Sequence, residues 1–209
     1  MMQKTGVAAT RKQALILAAI AEVGQAGSLD VTVSQIAARA GVSSALAHHY
    51  FGSKEQIFLA AMRHILSEFG SSARYGVAAA GDPQERINAI IAASFAPKQF
   101  EKDIVAAWLA FYVQSQHSQA AERLLRIYAY RLDSNLVFHL RQMVSREAAR
   151  RIAQGLASMI DGFYIRCALQ DCAPDPVEAR TQVADYLDMC LERERRSNSA
   201  ILRKNGRTA

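Results

Sequence analysis

Two neighbouring histidines, His48 and His49, stand in "GVSSALAHHYFGSK" (41–54), with Tyr50 and Lys54 just behind them. Imidazoles suggest metal or proton-transfer chemistry, whereas the phenol and the ammonium suit a phosphate. Adjacent residues on a helix diverge by about 100°, so the two rings cannot share a metal as an i, i+4 pair would. A second group, Trp108, Phe111 and Tyr112, has i, i+3, i+4 spacing and shares one helical face. Tyr128, Tyr130, Phe163 and Tyr164 add rings elsewhere. Such aromatics are either core or a pocket wall, and Trp108 is the best candidate for a wall. Asp161, in an apolar run between Ile160 and Gly162, would cost several kcal/mol if buried unpaired. It therefore pairs with an arginine, Arg166 or one across a dimer seam, or serves as a counter-charge to a bound cation. Asp161 has no histidine within helical reach, and Cys167, Cys172 and Cys190 lack activating neighbours. The residues thus predict no catalytic centre, no metal site and no cofactor; an enzyme or carrier with an idle head is the remote alternative.

A chain of 209 residues, 51% hydrophobic, can bury a sizeable core, which excludes disorder over most of its length. The formal charge of +6 is uneven. Residues 1–60 hold five basic and three acidic groups, 61–191 hold fourteen of each, and 192–209 hold six and two. An odd number of cysteines in a chain this long favours a reduced, cytoplasmic setting. No apolar run approaches the roughly 20 residues of a membrane span. "ALILAAIA" (14–21) is too short for one, and its spacing continues as a helical face through Val23 rather than as a signal core.

Nearly every segment repeats its apolar residues with a period near 3.6, and the breaks carry helix-start chemistry, so the chain is all-α with about nine helices. The first is expected over about 10–24. "TVSQ" (32–35) is a capping box for a short helix over 33–40, Gly41 stops it, Ser43 caps the next (44–50), and "SKEQ" (53–56) opens a helix to about Ala79. Asp82-Pro83 starts a helix to about Phe95; others follow over 101–116, 119–143, 146–169 and, after Asp175-Pro176, 177–195. The shift near residue 60 from short capped helices to long apolar ones predicts an N-terminal domain over 1–53, a helical domain over 54–195, and a basic, flexible tail over 196–209.

Two short helices joined by a tight glycine turn make a helix-turn-helix. Ile36, Ala37, Ala40, Val42 and Leu46 would pack against Leu15 and Ala19, leaving Ser44, Ala45, Ala47, His48 and His49 to face a DNA major groove. Phe51 closes this small core. "TVSQIAARAGVSSALAHHYFGSKEQIF" (32–58) resembles the DNA-binding signature of the tetracycline-repressor (TetR) family, matching at Thr32, Ile36-Ala37, Ala40-Gly41-Val42-Ser43, Tyr50-Phe51 and Lys54. It departs at Ala45, where glycine is usual, and at Leu46 and His48, where threonine and tyrosine are common. The resemblance implies a three-helix DNA-binding domain followed by a ligand-binding and dimerisation domain. It places DNA contacts at Thr32, Ser43, Ser44, Ala45, His49, Tyr50 and Lys54, with His48 beside them. Thr32, Tyr50 and Lys54 would anchor phosphates.

"AAWLAFYVQSQHSQ" (106–119), "RLDSNLVFHLR" (131–141) and "GLASMIDGFYIRCAL" (155–169) resemble the choline-responsive branch of that family, repressors of the genes that make glycine betaine from choline. The likeness spans about residues 8–190. It implies a homodimeric repressor on a palindromic operator in the bacterial cytoplasm, with choline or another quaternary ammonium as effector. A different cationic or lipophilic ligand is the alternative. A quaternary ammonium donates no hydrogen bond and is held by aromatic faces and a carboxylate. Trp108, Phe111, Tyr112, Tyr128, Asp161 and Tyr164 are the candidates. The resemblance also implies a dimer through a four-helix bundle of the last two long helices, where Gly155, Ala157 and Gly162 keep one side small.

Overall fold

The three helix starts between residues 32 and 54 are each fixed by a side chain that satisfies an orphan amide. In the computed structural model, which describes residues 2–169 and 175–205, the elements are α1 (Met2–Ala26), α2 (Val33–Arg39), α3 (Ser44–Phe51), α4 (Lys54–Ala79), α5 (Pro83–Ser94), a 3-10 turn (Pro97–Phe100), α6 (Lys102–Gln114), α7 (Gln119–Leu140), α8 (Arg146–Leu169) and α9 (Pro176–Asn205). No strand occurs among the described residues, so the architecture is all-α as expected. Thr32 forms the full capping box: its hydroxyl accepts from Gln35 N at 3.2 Å, and its amide donates to Gln35 Oε1 at 2.7 Å. Ser43, Ser53 and Asp82 likewise accept from the amides of Leu46, Gln56 and Glu85.

Gly41 ends α2 with φ +67°, where Val42 N donates to Ala37 O at 3.0 Å and Gly41 N to Ala38 O at 3.1 Å. This paired bonding is the Schellman closure, and it reverses the chain within a few residues. A left-handed glycine there makes the turn between α2 and α3 tight.

The described chain forms two compact units, one of residues up to Gly70 with Pro97–Tyr128, the other of Ser71–Ala96 with residues from Ala129 onward. This grouping differs from a cut at 53/54. Helices α2 and α3, of seven and eight residues, hold few large apolar side chains, so the head shares a compact unit with the first part of α4 and with α6. Leu15, Ala19, Val23, Ile36, Ala37 and Ala47 are buried together with Ile57, Phe58 and Met62 of α4 and Val105 and Trp108 of α6. In the same unit α6 packs on α1 and α2 is held to α1 by Arg39, whose guanidinium bonds Glu22 and Gln25.

In the second unit α8 packs on α9 through Ala149, Ile152, Ala153 and Leu156 against Ala179, Val183 and Leu187. Gly155 does not present a small side to a copy of the chain: a Cβ there would lie 2.1 Å from the Tyr186 hydroxyl, so the glycine admits Tyr186 of its own α9. Arg151 bonds Glu194 across the same pair, and Gln84 of α5 bonds Asp188 at 2.7 Å.

Three boundaries depart from expectation. The first helix begins at Met2 rather than near Thr10, because nothing between them but Gly6 opposes helix. The seventh ends at Leu140, short of Met143. The last runs to Asn205 rather than Arg195, supported by an Arg196–Glu192 pair at 2.8 Å and by Ser199, whose hydroxyl donates to Arg195 O. Of the expected flexible tail, 196–205 is therefore helix and 206–209 lies outside the described residues, as does Cys172. Cys167 is buried, and burial pushes its thiol up, away from a nucleophile's range.

At Gly24 a Cβ would lie 2.5 Å from the Asp103 backbone, so only glycine lets the end of α1 lie on the start of α6. Gly24→Ala should cost about 1–3 kcal/mol and lower Tm by several degrees. An unchanged Tm by scanning calorimetry would contradict this close approach.

Candidate nucleic-acid interface and aromatic cluster

Helix α3 carries the predicted reading face. Ala45, His48 and His49 are exposed at i, i+3, i+4 and form one outward face. Ala47, expected to face outward, is fully buried, and Ser44 is half-buried with its hydroxyl donating to Ser34 Oγ at 3.1 Å. Both corrections have one cause: α3 is so short that the side turned to α2 claims positions 44 and 47. Val42, Leu46 and Phe51 are only half-buried, and the Lys12 ammonium lies 5.4 Å from the centre of the Phe51 ring.

Several side chains at this face make contacts within the chain. His48 Nδ1 lies 3.3 Å from Gly52 O at the end of α3, and His49 rests its ring on Tyr50 at 5.7 Å. Thr32 is exposed at the start of α2, and its hydroxyl donates to Gln35 Oε1 at 2.8 Å. Tyr50 and Lys54 are half-buried, Lys54 opening α4 with its ammonium 5.7 Å from the centre of Phe58. The surface so formed is polar, mildly basic and ends at a helix N-terminus, the chemistry that suits a sugar-phosphate backbone beside a row of base edges.

Behind it, within the same unit, four rings from three helices meet. Trp108 stacks on Tyr112 at 5.8 Å and tilts against Tyr128 at 5.0 Å, and Tyr128 meets Phe69 edge-on at 5.7 Å. Trp108 is 4% exposed, whereas Tyr112, Tyr128 and Phe69 are half-buried. Helix α6 supplies two of these rings because residues 108 and 112 are one turn apart; α4 and α7 each supply one. Next to Phe69, the Lys98 ammonium holds the Glu68 carboxylate at 2.8 Å and keeps it below the usual carboxylate range. Electron-rich ring faces can hold a cation without hydrogen bonds. Phe69 was not among the expected residues; it sits in a helix whose pattern reads simply as amphipathic.

The remaining candidates have other placements. Phe111 is buried in the core of the first unit. Asp161 and Tyr164 belong to the second unit. Tyr164 is buried and its hydroxyl donates to Ser94 O at 2.7 Å, which ties α8 to the end of α5. Asp161 is half-buried and does not stand as a bare charge. Phe163, beside Tyr164, meets Phe95 edge-on at 5.6 Å. Among the described residues no three His, Cys, Asp or Glu side chains gather as a metal ion would need, and no helix is long and apolar enough to cross a membrane.

Comparison with known proteins places these features. Residues 15–61 match the family model of bacterial regulatory proteins of the tetR family, and residues 83–192 match that of the BetI-type transcriptional repressor, C-terminal. The chain is 53% identical over 194 residues to the HTH-type transcriptional regulator BetI of Brucella anthropi, covering 93% of this chain and all of that one. It is 48% identical over 191 residues to the BetI of Rhizobium meliloti, covering 91% and 94%. Among solved structures, a transcriptional regulator from Pseudomonas aeruginosa aligns with TM-score 0.74 at 23% identity, over 87% of this chain and 90% of that one. A regulator from Saccharomonospora viridis in complex with choline aligns with TM-score 0.72 at 19% identity, over 85% and 95%. The fold is the same in both.

In the second unit, burial and the nearby Arg86 lower the pKa of His139. The folded chain resists a proton that the unfolded chain takes up below about pH 6.5, so stability should fall as pH drops through that value. Measured between pH 7.5 and 5.5, Tm should decline less for His139→Gln than for the parent. Equal declines would remove His139 as the source.

Proposed function

Because the chain belongs to the TetR family of bacterial regulatory proteins and, within it, to the BetI-type transcriptional repressors, we propose that it is a homodimeric repressor whose affinity for a palindromic operator is set by choline. The chain is a DNA-binding transcriptional regulator and not an enzyme. Its targets are the genes that turn choline into glycine betaine, and it acts in the bacterial cytoplasm, on the nucleoid when bound. The observation that carries the effector assignment is the meeting of Phe69, Trp108, Tyr112 and Tyr128 from three helices, the arrangement a quaternary ammonium requires. That a related fold from Saccharomonospora viridis was solved with choline supports the same ligand class. Phe111 and Tyr164, both buried, then serve as core, each in its own unit, rather than as contacts.

For the DNA contacts, Ala45, His48 and His49 read base edges, Lys54 and Tyr50 hold phosphates, and Thr32 and Ser43 support the start of each helix. Ser44 acts through its bond to Ser34. Exposed Ile165 and Leu169 on α8 and Val177 and Met189 on α9 support a dimer through these helices, since apolar side chains so placed gain by covering one another. Two heads related by a two-fold axis would meet half-sites one helical turn or a multiple apart.

Lys54→Ala should weaken binding to operator and random DNA alike and reduce the salt slope by about one, whereas His49→Ala should change the preference among operator variants. Equal losses for both variants on both DNAs would remove His49 from base reading. Millimolar choline should raise Tm by mass action, and Trp108→Ala should abolish the rise while leaving operator binding in place. A full rise in that variant would take Trp108 out of the cage.

A further inference from the structure

The corner between α6 and α7, residues 115–118, joins the aromatic cluster to the start of α4 through side-chain bonds within one compact unit. Ser115 donates its hydroxyl to the backbone carbonyl of Tyr112 at 2.7 Å, which fastens the corner to the last turn of α6, the turn that carries the Tyr112 ring. Three residues on, Ser118 is buried; its hydroxyl accepts from Ala121 N at 3.3 Å, capping α7, and donates to Glu55 Oε1 at 2.5 Å. Glu55 lies in the first turn of α4, next to Lys54. The contact is short and charge-assisted, made by a buried hydroxyl to a carboxylate whose residue is itself exposed. Displacing the corner by a fraction of an ångström therefore either carries the first turn of α4 with it or breaks the bond.

We propose that the Ser118–Glu55 hydrogen bond is the clasp through which the aromatic cluster positions the start of α4, and with it Lys54, so that Glu55 is a positioning residue for operator binding. Its role in effector response rests on the reading of the cluster as the choline site. A cation entering among Trp108, Tyr112 and Tyr128 separates or tilts their rings, Tyr112 shifts the corner it is fastened to, and the clasp passes that shift to α4. Neither Ser118 nor Glu55 touches the effector or the DNA in this scheme. Two arrangements of one packed element, biased from both ends, are what a coupling of sites needs.

The test uses the full chain, its own upstream intergenic DNA and choline chloride. Glu55→Ala removes the clasp and keeps the cap of α7; Glu55→Gln keeps an amide oxygen that Ser118 can still bond; Ser118→Ala removes both clasp and cap. The ratio of operator Kd with and without saturating choline should be at least about fivefold in the parent and in Glu55→Gln, and within about twofold of one in Glu55→Ala and Ser118→Ala, with nothing further lost in the double variant. Calorimetry should still find choline bound by Glu55→Ala. A parental ratio in Glu55→Ala with choline bound would overturn the clasp. If the parent itself binds no choline, the choline reading fails and the clasp is judged by hydrogen exchange instead. Trp108→Phe should then change exchange of the amides of residues 54–58 when Glu55 is present and leave it unchanged in Glu55→Ala. The same change in both would overturn the clasp.

Discussion

The missing side chain at Gly24 lets the end of α1 lie directly on the start of α6, beside Asp103. Much of the molecule's logic depends on that approach. Helices α2 and α3 of the head are short, with few apolar residues of their own, and they share one compact unit with α1, the first part of α4 and α6. The helix that carries Trp108 and Tyr112 is thus part of the wall against which the DNA-reading helices fold. A core packed this closely resists continuous deformation, the property on which the proposed coupling from the rings to α4 rests.

Charge and aromatic chemistry divide the work within that unit. Its outer end offers two exposed imidazoles, a phenol, an ammonium and a helix N-terminus, groups that exchange water for phosphate and base edges with little desolvation cost. The cluster of Phe69, Trp108, Tyr112 and Tyr128 offers ring faces, which favour a cation with no hydrogen to donate. Kinship with the BetI proteins makes the chain a DNA-binding regulator, and the ring faces in the same unit are what supports the proposed sensing of a quaternary ammonium.

Local chemistry was readable in the chain itself. The box at Thr32, the stop at Gly41 and the caps at Ser43 and Asp82 are decided by residues within a few positions of one another, and the fold realises each of them. What was hidden depends on tertiary neighbours. Ala47 looks like a neutral surface residue until α2 is packed beside it, and Gly155 looks like a contact for a second copy until Tyr186 fills the space. The ring contact of Phe69 and the carboxylate bond of Ser118 carry no local signal, because each is made with a residue about sixty positions away: Tyr128 for the first, Glu55 for the second. The end of α9 was misjudged since a polar composition suggested a tail, whereas i, i+4 pairs such as Glu192–Arg196 sustain the helix to Asn205.

The central claim, that one compact unit both reads an operator and senses a quaternary ammonium, is tested most directly by titrating the purified protein onto its own upstream intergenic DNA with and without choline, following fluorescence anisotropy. The account predicts binding at two chains per duplex that far exceeds binding to random DNA, and a Kd that rises at least about fivefold at saturating choline. Binding indifferent to sequence, or an operator Kd that choline leaves unchanged while choline is bound, would contradict it.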